Sequence, residues 1–473
     1  MTTYSTRYLV TAVALASFLS ACTVGPNYVK PEPLPNEPMP TAFKEAAGWK
    51  VATPKDDAIP QKWWEAFNDP ALAALEEQVS VSNQNLKAAE AQVRQARALV
   101  REAKAGYFPT VTAGPSITTG SKSSTTGTSK VVTDYSLPAD LAWEADVWGR
   151  IRRTVEASSA NAQATAADLA AARLSAQALL AEDYFLLRSQ DVQKQLLDDT
   201  VASYQRALQL TKNRYASGVA AKSDVLQAET QLKTTQAAAI DLAVQRAQLE
   251  HAIALLIGKP ASVFSLPVAP MVSLFPDIPL GLPSRLLERR PDIAGAERRM
   301  ASANAQIGMA QAAYYPDLRF SASAGFEALS LASWFNWPSR FWAVGGALTE
   351  TLFDGGLRKA QTEAARAAYD AMVANYRQTV LTGFQEVEDN LAALRILAAE
   401  AQAQDEAVKA SLETLAVVNN QYQAGIVSYL NVVAAQTTAL TNQRTAAEIQ
   451  ARRLNATVLL IKALGGGWDV SSL

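Results

Sequence analysis

The sequence contains little of the chemistry on which most enzymes depend. Its 473 residues include one histidine and one cysteine, which leaves almost nothing for a metal site or a histidine-based triad. The formal net charge of −2 gives no electrostatic case for binding nucleic acid, and no basic patch is interleaved with aromatic residues. We therefore predict a protein that is not an enzyme, holds no metal ion or noncovalent cofactor, and binds no nucleic acid.

What the sequence does contain is a repeat. A helical pattern that breaks at Tyr-x-x-Gly, followed by a new helix, occurs twice. Tyr215 and Gly218 in the first stretch recur as Tyr422 and Gly425, in both cases 207 residues later. Glycine allows the left-handed conformation in which a helix ends and the chain reverses. Both stretches are therefore predicted to be the tips of helical hairpins.

The same offset relates further segments, among them Tyr107-Phe108-Pro109 and Tyr314-Tyr315-Pro316. Solenoid repeats are only about 20–50 residues long, so this pattern indicates a duplication of one large unit. We predict a first repeat at 61–282 and a second at 283–473. Each contains a helix, a β-hairpin and two long helices.

The N-terminus has the features of a secretory signal, in which Arg7 precedes an apolar run too short for a transmembrane helix. The run closes with Leu-Ser-Ala-Cys, which resembles a bacterial lipobox. We expect cleavage after residue 21 and lipidation of Cys22; the alternative is a stray thiol in a discarded peptide. Thr23, in place of an Asp, favours sorting to the outer membrane. The proline-rich stretch 22–60 is predicted to be an extended tether.

After each Tyr-x-Pro segment the apolar period changes from 3.6 to 2. Residues 110–118, 134–147 and 318–327 alternate, whereas the return strand near 341–353 alternates less cleanly because of Glu350. Such runs match tilted transmembrane strands of roughly 9–11 residues, and a soluble hairpin with one wet face is the alternative. Aromatic residues at one strand end, typical of a membrane interface, are Trp334, Phe335, Trp337, Phe341 and Trp342.

Four strands in one chain cannot close a barrel, and an open edge in lipid leaves backbone groups unpaired. The strands must therefore be shared between copies, which predicts a homo-oligomer.

A single helix is predicted over 69–105. The stretches 151–215 and 357–422 are far longer than an average helix, and the second is interrupted only by Gly383. Small residues along wide faces favour a hollow helical cylinder.

Taken together, these features resemble the TolC-like outer-membrane factor family, in its lipid-anchored OprM-like branch. The resemblance covers almost the whole chain after Cys22. Its marks outside the tips are Gly25-Pro26-Asn27-Tyr28, Trp63-Trp64 with Phe67 and Asp69-Pro70, the segment 286–293, Leu352 to Gly356, Phe384 to Asp389, and Ala463 to Trp468.

The resemblance implies an α+β membrane protein. Four transmembrane strands per chain would contribute to a trimeric, twelve-stranded β-barrel in the outer membrane, with a long α-helical barrel in the periplasm. It further implies a homotrimer that works with a periplasmic adaptor protein and an inner-membrane pump, and whose tips open when the adaptor docks.

Relatives close the tips with an Asp–Tyr–Arg contact and narrow the pore with an acidic ring, sometimes beside a leucine ring. The matching positions for the contact are Asp224, Tyr422 and Val427, so the Asp–Tyr hydrogen bond could form and the salt bridge could not. Leu430 matches the leucine ring. The acidic positions hold Asn431 and, in addition, Ala434. We expect a gate of apolar and amide groups with weak cation preference.

Residues at the tips are candidates for adaptor contact, although helix capping and hairpin packing would also explain them. They are Arg214, Tyr215, Gly218, Val219, Gly425, Ile426 and Ser428.

The function predicted from this pattern is a passive exit duct of a tripartite efflux pump, for drugs, toxic compounds or metals. A type I protein-secretion outlet is the alternative within the same architecture. A lipid-anchored periplasmic coiled-coil scaffold, or a carboxylate hydrolase, would belong to different classes. The exported substrate and the partner pump are not encoded in this chain.

Overall fold

A computed structural model of the chain describes residues 23–35, 37–46, 59–123, 129–272, 275–276, 278 and 283–472. The signal sequence and Cys22 lie outside these residues. The helices are α1 (Pro70–Ser82), α2 (Gln84–Ala105), α3 (Arg150–Ala216), α4 (Lys222–Leu256), α5 (Leu286–Arg289), α6 (Pro291–Ala312), α7 (Leu357–Gln423) and α8 (Tyr429–Ala463). The strands are β1 (Thr110–Ala113), β2 (Ser116–Ser123), β3 (Ser129–Glu144), β4 (Asp317–Ala328) and β5 (Arg340–Thr349).

The chain divides into two compact units, and each draws on both halves of the sequence. Unit 1 contains Gln92–Ala166, Gly295–Arg377 and the segment that ends at Pro33. Unit 2 contains Leu34–Ala91, Ala167–Ala294 and Gln378–Leu473. No helix in the described part of the chain has the length and apolar character needed to cross a membrane.

Unit 1 contains one antiparallel sheet built from both predicted hairpins. Its order is β1, β3, β4, β5, with β2 also paired to β3. The two hairpins join through β3 and β4, where Leu137 pairs with Phe326 and Trp143 with Phe320. β1 and β2 lie end to end along β3, and we call them the β1–β2 line. Within the described residues, β5 and the β1–β2 line each have one unpaired edge.

The first strand of the predicted hairpin is interrupted and appears as two. β1 and β2 keep the same register against β3, with Ala113 opposite Ala139 and Ser116 opposite Ser136. The residues between them, Gly114 and Pro115, would face Pro138 and Leu137. Because proline has no backbone N–H, the hydrogen-bonded ladder breaks there. The sheet therefore has four strand positions, as predicted.

The two faces of the sheet differ in the way the alternation predicts. One face pairs apolar side chains across neighbouring strands, such as Val111 with Leu141 and Leu318 with Leu348. The rings of Trp143 and Phe320 stack on it with centroids 5.7 Å apart. The other face is polar, and Ser323 Oγ donates to Asp140 Oδ1 at 2.6 Å. A surface of this kind suits lipid on one side and water on the other.

The predicted return strand ends earlier in the structure than the sequence suggested. β5 spans Arg340–Thr349 instead of 341–353, so Glu350 lies beyond the sheet. The Glu350 carboxylate accepts a hydrogen bond from Arg358 Nη1 at 3.2 Å. This contact explains why a charged residue follows the alternating apolar residues of β5. β2 continues past residue 118 to Ser123, and β3 begins at Ser129, before its predicted start at 134, and ends at Glu144, before its predicted end at 147. Hydroxyl pairs such as Thr119 with Thr133, 3.0 Å apart, continue the pairing without apolar alternation.

The single helix predicted over 69–105 is two helices. Asn83, between α1 and α2, has extended backbone angles. Its side-chain oxygen accepts from the backbone N–H groups of Asn85 and Leu86 at 2.9 and 3.1 Å. Its amide nitrogen donates to the Leu256 carbonyl at 2.8 Å. Asn83 thus caps α2 and fixes the break, as a side-chain acceptor at this position does.

The two long helices match their predicted positions, and Gly383 does not interrupt the second. A Cβ at Gly383 would lie 3.3 Å from Arg290 Nε, so the glycine makes room for a buried guanidinium. Arg290 pairs with Glu386 at 2.6 Å and with Asp292 at 2.7 Å. It also donates to the Ala463 carbonyl at 3.0 Å. These contacts bring the segments 286–293, 384–389 and 463–468 together.

The main apolar core lies in unit 2. Trp63, Trp64 and Phe67, on a short 3₁₀ helix, are buried there. Phe67 packs on Phe185 of α3 with ring centroids 5.0 Å apart. Asp69 caps α1, because its side chain accepts hydrogen bonds from the N–H groups of Ala71 and Leu72. In this motif the tryptophans therefore pack in the core and the aspartate caps the following helix.

The stretch predicted to be a tether has no helix or strand in its described part, yet its first residues are fixed to unit 1. Gly25 has φ +95° and lies so close to Gly308 that an added Cβ would sit 2.4 Å from the Gly308 Cα. Arg153, which is buried, donates to the Gly25 carbonyl at 3.1 Å and to Asn27 Oδ1 at 3.0 Å. Tyr28 donates to Glu297 at 2.6 Å. Residues 25–28 are therefore fixed against the helices of unit 1.

A candidate gate at the helical hairpin tips

The two predicted hairpin tips lie in unit 2 and have the same backbone geometry. In the first, Gly218 has φ +77°, and the N–H of Val219 donates to the Arg214 carbonyl at 2.8 Å. In the second, Gly425 has φ +75°, and the N–H of Ile426 donates to the Gln421 carbonyl at 2.8 Å. Such bonds satisfy carbonyls that the end of a helix leaves free, so both turns follow from the glycine.

A small apolar cluster, called the tip cluster below, holds the two tips of one chain together. Its buried members are Tyr204, Leu208, Ala228, Leu232, Tyr422, Tyr429 and Val432, with Val427 packed against them. The rings of Tyr422 and Tyr429 lie 5.4 Å apart. Burial, together with nearby Tyr422, Tyr204 and Asp224, raises the pKa of Tyr429 to about 12. The Tyr429 hydroxyl therefore remains protonated at physiological pH.

Arg214 connects the tips by a contact that the sequence did not reveal. Its Nη1 donates to the Tyr422 carbonyl oxygen at 2.9 Å. Its guanidinium carbon lies 4.7 Å from the centre of the Tyr422 ring, within the range of a cation–π interaction. Arg214, predicted as an adaptor contact, thus has a structural partner inside the chain. No spacing rule links residues 208 positions apart, and only the repeat alignment could have suggested the pairing.

The predicted hydrogen bond between Asp224 and Tyr422 is not made within the described residues of one chain. The Tyr422 side chain is buried, and its hydroxyl lies 3.5 Å from Thr211 Oγ1. Asp224 is half-buried in the first turn of α4, where a negative charge is favourable at the helix N-terminus. The orientation of Tyr422 towards Thr211 explains the difference. The role of Asp224 and Tyr422 in closing the gate stays a prediction.

The predicted ring-forming residues are exposed on the first turns of α8. Leu430 has 59% of its surface accessible, and Asn431 and Ala434 are at least partly exposed. They alternate with Tyr429 and Val432, which are buried in the tip cluster. One side of α8 therefore packs against its own chain, while the opposite side presents a leucine and an amide.

The predicted adaptor-contact residues form an exposed and partly apolar surface. Val219 and Ile426 are 65% and 72% exposed, and Tyr215 is also exposed. No atom lies within 4 Å of a Cβ built on Gly218 or Gly425. Ser428 occupies the N-cap position of α8 without a side-chain cap bond. Arg214 differs from this set because it is engaged with Tyr422.

Among the described residues, no group of three or more His, Cys, Asp or Glu side chains could hold a metal ion. The exposed candidate residues at the tips carry apolar, amide and hydroxyl groups.

Comparison with known proteins gives the family. The family model described as "Outer membrane efflux protein" matches residues 75–259 and 282–466. The second match begins and ends 207 residues after the first, which is the offset of the sequence repeat. The predicted repeat bounds, 61–282 and 283–473, stay a prediction.

The curated relatives are outer-membrane components of efflux systems. The toluene efflux pump outer membrane protein TtgI of Pseudomonas putida is 32% identical over 96% of this chain and 97% of its own length. The pyoverdine export outer membrane protein OpmQ of Pseudomonas aeruginosa is 30% identical over 91% of this chain and 93% of its own.

Solved structures share the fold. The outer-membrane channel OprN superposes with a TM-score of 0.89 at 30% identity, covering 94% of this chain and 100% of that one. The MtrE outer membrane channel of Neisseria gonorrhoeae, in its open state, gives a TM-score of 0.83 at 27% identity, covering 94% and 98%.

These findings confirm the predicted fold class and the prediction of an efflux channel of the outer membrane, and they do not favour the scaffold or hydrolase alternatives. The chain belongs to the outer membrane efflux protein family.

Proposed function

We propose that this chain forms a homotrimeric exit duct, through which small molecules leave the periplasm passively once an adaptor protein has opened the helical tips. The observation that carries this proposal is the sheet of unit 1. It has four strand positions, one continuous apolar face and two edges that are unpaired in the described residues. In lipid, each unpaired backbone group costs several kcal/mol, so the edges require partners.

A second copy of the same sheet is the natural partner. The free edge of β5 would pair with the β1–β2 line of a neighbour, and repetition of this contact around an axis closes a barrel. Three copies give twelve strand positions, the number that the resemblance implies. The polar face would then surround water, and the apolar face would contact lipid.

The tips supply the regulated part of the duct. In a ring of three chains, we propose that Leu430 and Asn431 form the constriction. Support comes from their exposure, while Tyr422 and Tyr429 are buried in the tip cluster. Since Asn431 is uncharged, we infer an apolar and amide constriction with weak ion selectivity. Docking of the adaptor on Tyr215, Val219 and Ile426 would separate the tips.

The cargo is proposed to be small molecules, such as drugs, toxic compounds or metals. Relatives are named for the efflux of solvent and toluene and for the export of pyoverdine, and a duct of this kind leaves selection to the pump that supplies it. An inner-membrane pump and a periplasmic adaptor are accordingly the proposed partners.

Lipidation of Cys22 is part of the same proposal. Its support is the lipobox-like sequence that ends at Cys22. Mass spectrometry of the mature chain would detect the added acyl groups. A mature chain of unmodified mass that still contains Cys22 would contradict it.

The decisive experiment is the native mass of the detergent-extracted protein, combined with a transport assay. We expect three chains per particle. We also expect restored toluene tolerance when the chain is produced with a compatible adaptor and pump in a strain that lacks its own outer-membrane efflux channels. A monomer would overturn the shared barrel, and a trimer that never restores tolerance would overturn the efflux role.

A further inference from the structure

We propose that Arg340, on the lipid-facing side of the sheet, binds the phosphate of an outer-leaflet glycolipid headgroup. The register of the sheet gives the first argument. Arg340 pairs with Phe326, and the next residues on the same face of β5 are Trp342, Val344, Gly346 and Leu348. A guanidinium therefore stands at the end of an apolar row.

That row is exposed and has the length of a membrane core. Trp342, Val344 and Leu348 are 79%, 76% and 69% accessible. From Arg340 to Leu348 the strand rises by about 27 Å at ~3.4 Å per residue. Because strands of an outer-membrane barrel are tilted by about 35–45°, this length covers about 19–22 Å of an apolar band about 25 Å tall. Arg340 thus lies at one boundary of the hydrocarbon layer.

The boundary in question is the outer one. The connection between β4 and β5 lies at the end of the hairpin opposite to the points where α6 ends and α7 begins. The fold class places the helices in the periplasm, so this connection faces the exterior. There the outer membrane exposes phosphorylated glycolipids, whose charge complements a guanidinium.

The guanidinium is held in position and keeps two donors free. Its Nε donates to the Trp337 carbonyl at 3.0 Å, and its central carbon lies 3.1 Å from the centre of the Trp337 ring. Its terminal nitrogens, Nη1 and Nη2, donate to no group in the described part of the chain. Two parallel N–H donors on a fixed arginine match the oxygens of a phosphate.

The surroundings fit a lipid better than a soluble anion. Trp337 and Phe335 are largely exposed beside Arg340, and such rings favour the zone between hydrocarbon and headgroups. Glu327, the acidic residue of the same hairpin near this end, belongs to the opposite, polar face of the sheet. No carboxylate of the described strands therefore competes for the guanidinium on the lipid-facing side.

The test is native mass spectrometry of the full-length protein titrated with diphosphoryl lipid A in detergent. One lipid per chain is expected for the unaltered protein, and Arg340→Gln should weaken its binding about fivefold, the loss of one basic group near a membrane surface. Arg319→Gln is the matched control, because Arg319 lies on the polar face beside Asp317, and it should bind as the unaltered protein does.

Two further arms identify the ligand group. Dephosphorylated lipid A should bind weakly to all variants, and phosphatidylglycerol should bind more weakly than lipid A. Arg340→Lys keeps the charge without the paired donors and should give intermediate binding, which guards against a folding defect in the glutamine variant. Equal binding by Arg340→Gln, by dephosphorylated lipid A or by phosphatidylglycerol would overturn the proposal.

Discussion

The guanidinium of Arg214 rests on the ring of Tyr422, 4.7 Å from its centre, and donates a hydrogen bond to the carbonyl oxygen of the same residue. One side chain of the first tip thus binds both the ring and the backbone of the second.

Replacing Arg214 should loosen the tips. A hydrogen bond from a charged donor contributes about 1.5–3 kcal/mol and an exposed cation–π contact about 0.5–1 kcal/mol. We expect Arg214→Gln to increase hydrogen exchange at both tips and to raise the basal conductance of the channel in planar bilayers. Lys212→Gln is the control, because it removes a charge of the same sign from an exposed side chain of the same helix. If Arg214→Gln exchanges and conducts like Lys212→Gln, Arg214 does not hold the tips.

Adding charge at the proposed constriction should change ion selectivity. Asn431→Asp would place one carboxylate per chain beside Leu430, and a ring of carboxylates favours cations. Reversal potentials in a KCl gradient should shift towards that of K⁺. Asn420→Asp, at a position outside the proposed ring, provides the comparison. Unchanged reversal potentials in Asn431→Asp would place the constriction elsewhere.

The buried carboxyl of Glu76 should make stability depend on pH. The side chain is fully buried, and neither oxygen has a hydrogen-bond partner among the described residues. Burial raises the pKa of Glu76 well above its usual value. Its ionisation therefore opposes folding, and stability falls as pH rises from the unfolded pKa towards the folded one. We expect Glu76→Gln to stabilise the protein by roughly 1–3 kcal/mol at pH 8 and very little at pH 4.

The neighbouring Glu77 is the matched control, with the opposite sign. A hydrogen bond from Lys62 lowers the pKa of Glu77, so its contribution is present above the unfolded pKa and is lost as pH falls. Glu77→Gln should not raise the melting temperature at pH 8. Thermal melts of the three proteins at pH 4 and pH 8 test both signs, and a destabilised Glu76→Gln at pH 8 would contradict the burial argument.

A methyl group at Gly25 should detach the N-terminal segment. Gly25→Ala meets the Gly308 Cα at 2.4 Å, which adds about 1–3 kcal/mol of overpacking to the roughly 1–2 kcal/mol of a left-handed alanine. Gly218 also has a positive φ, but nothing lies near its added Cβ. Gly218→Ala therefore measures the cost of the left-handed alanine without the cost of overpacking. Limited proteolysis should cut before residue 46 faster in Gly25→Ala alone. Equal rates in the two variants would show that the close approach to Gly308 is unimportant.

The local patterns of the sequence were sufficient wherever a structure depends on neighbours along the chain. Gly218 and Gly425 end their helices because only glycine adopts the required φ without strain. The strand faces follow from period-two alternation, and the helices over 151–215 and 357–422 lack internal proline. The repeat itself is a property of the sequence.

Other features were decided by contacts between distant segments. The break at Asn83 depends on the carbonyl of Leu256, and the tolerance of Gly383 depends on Arg290. The end of β5 at Thr349 reflects the pairing of Glu350 with Arg358. None of these partners lies at a spacing that a helical or strand period would indicate.

The sequence by itself thus determined the duplication, the helical hairpins, the two-faced strands and the family. Only the tertiary structure decided that Arg214 binds Tyr422, that Gly25 to Tyr28 lie fixed against unit 1, and that Arg340 ends an apolar row. The physical reason is that periodicity and backbone preference act over a few residues. Hydrogen bonds and close packing act between whichever groups folding brings together.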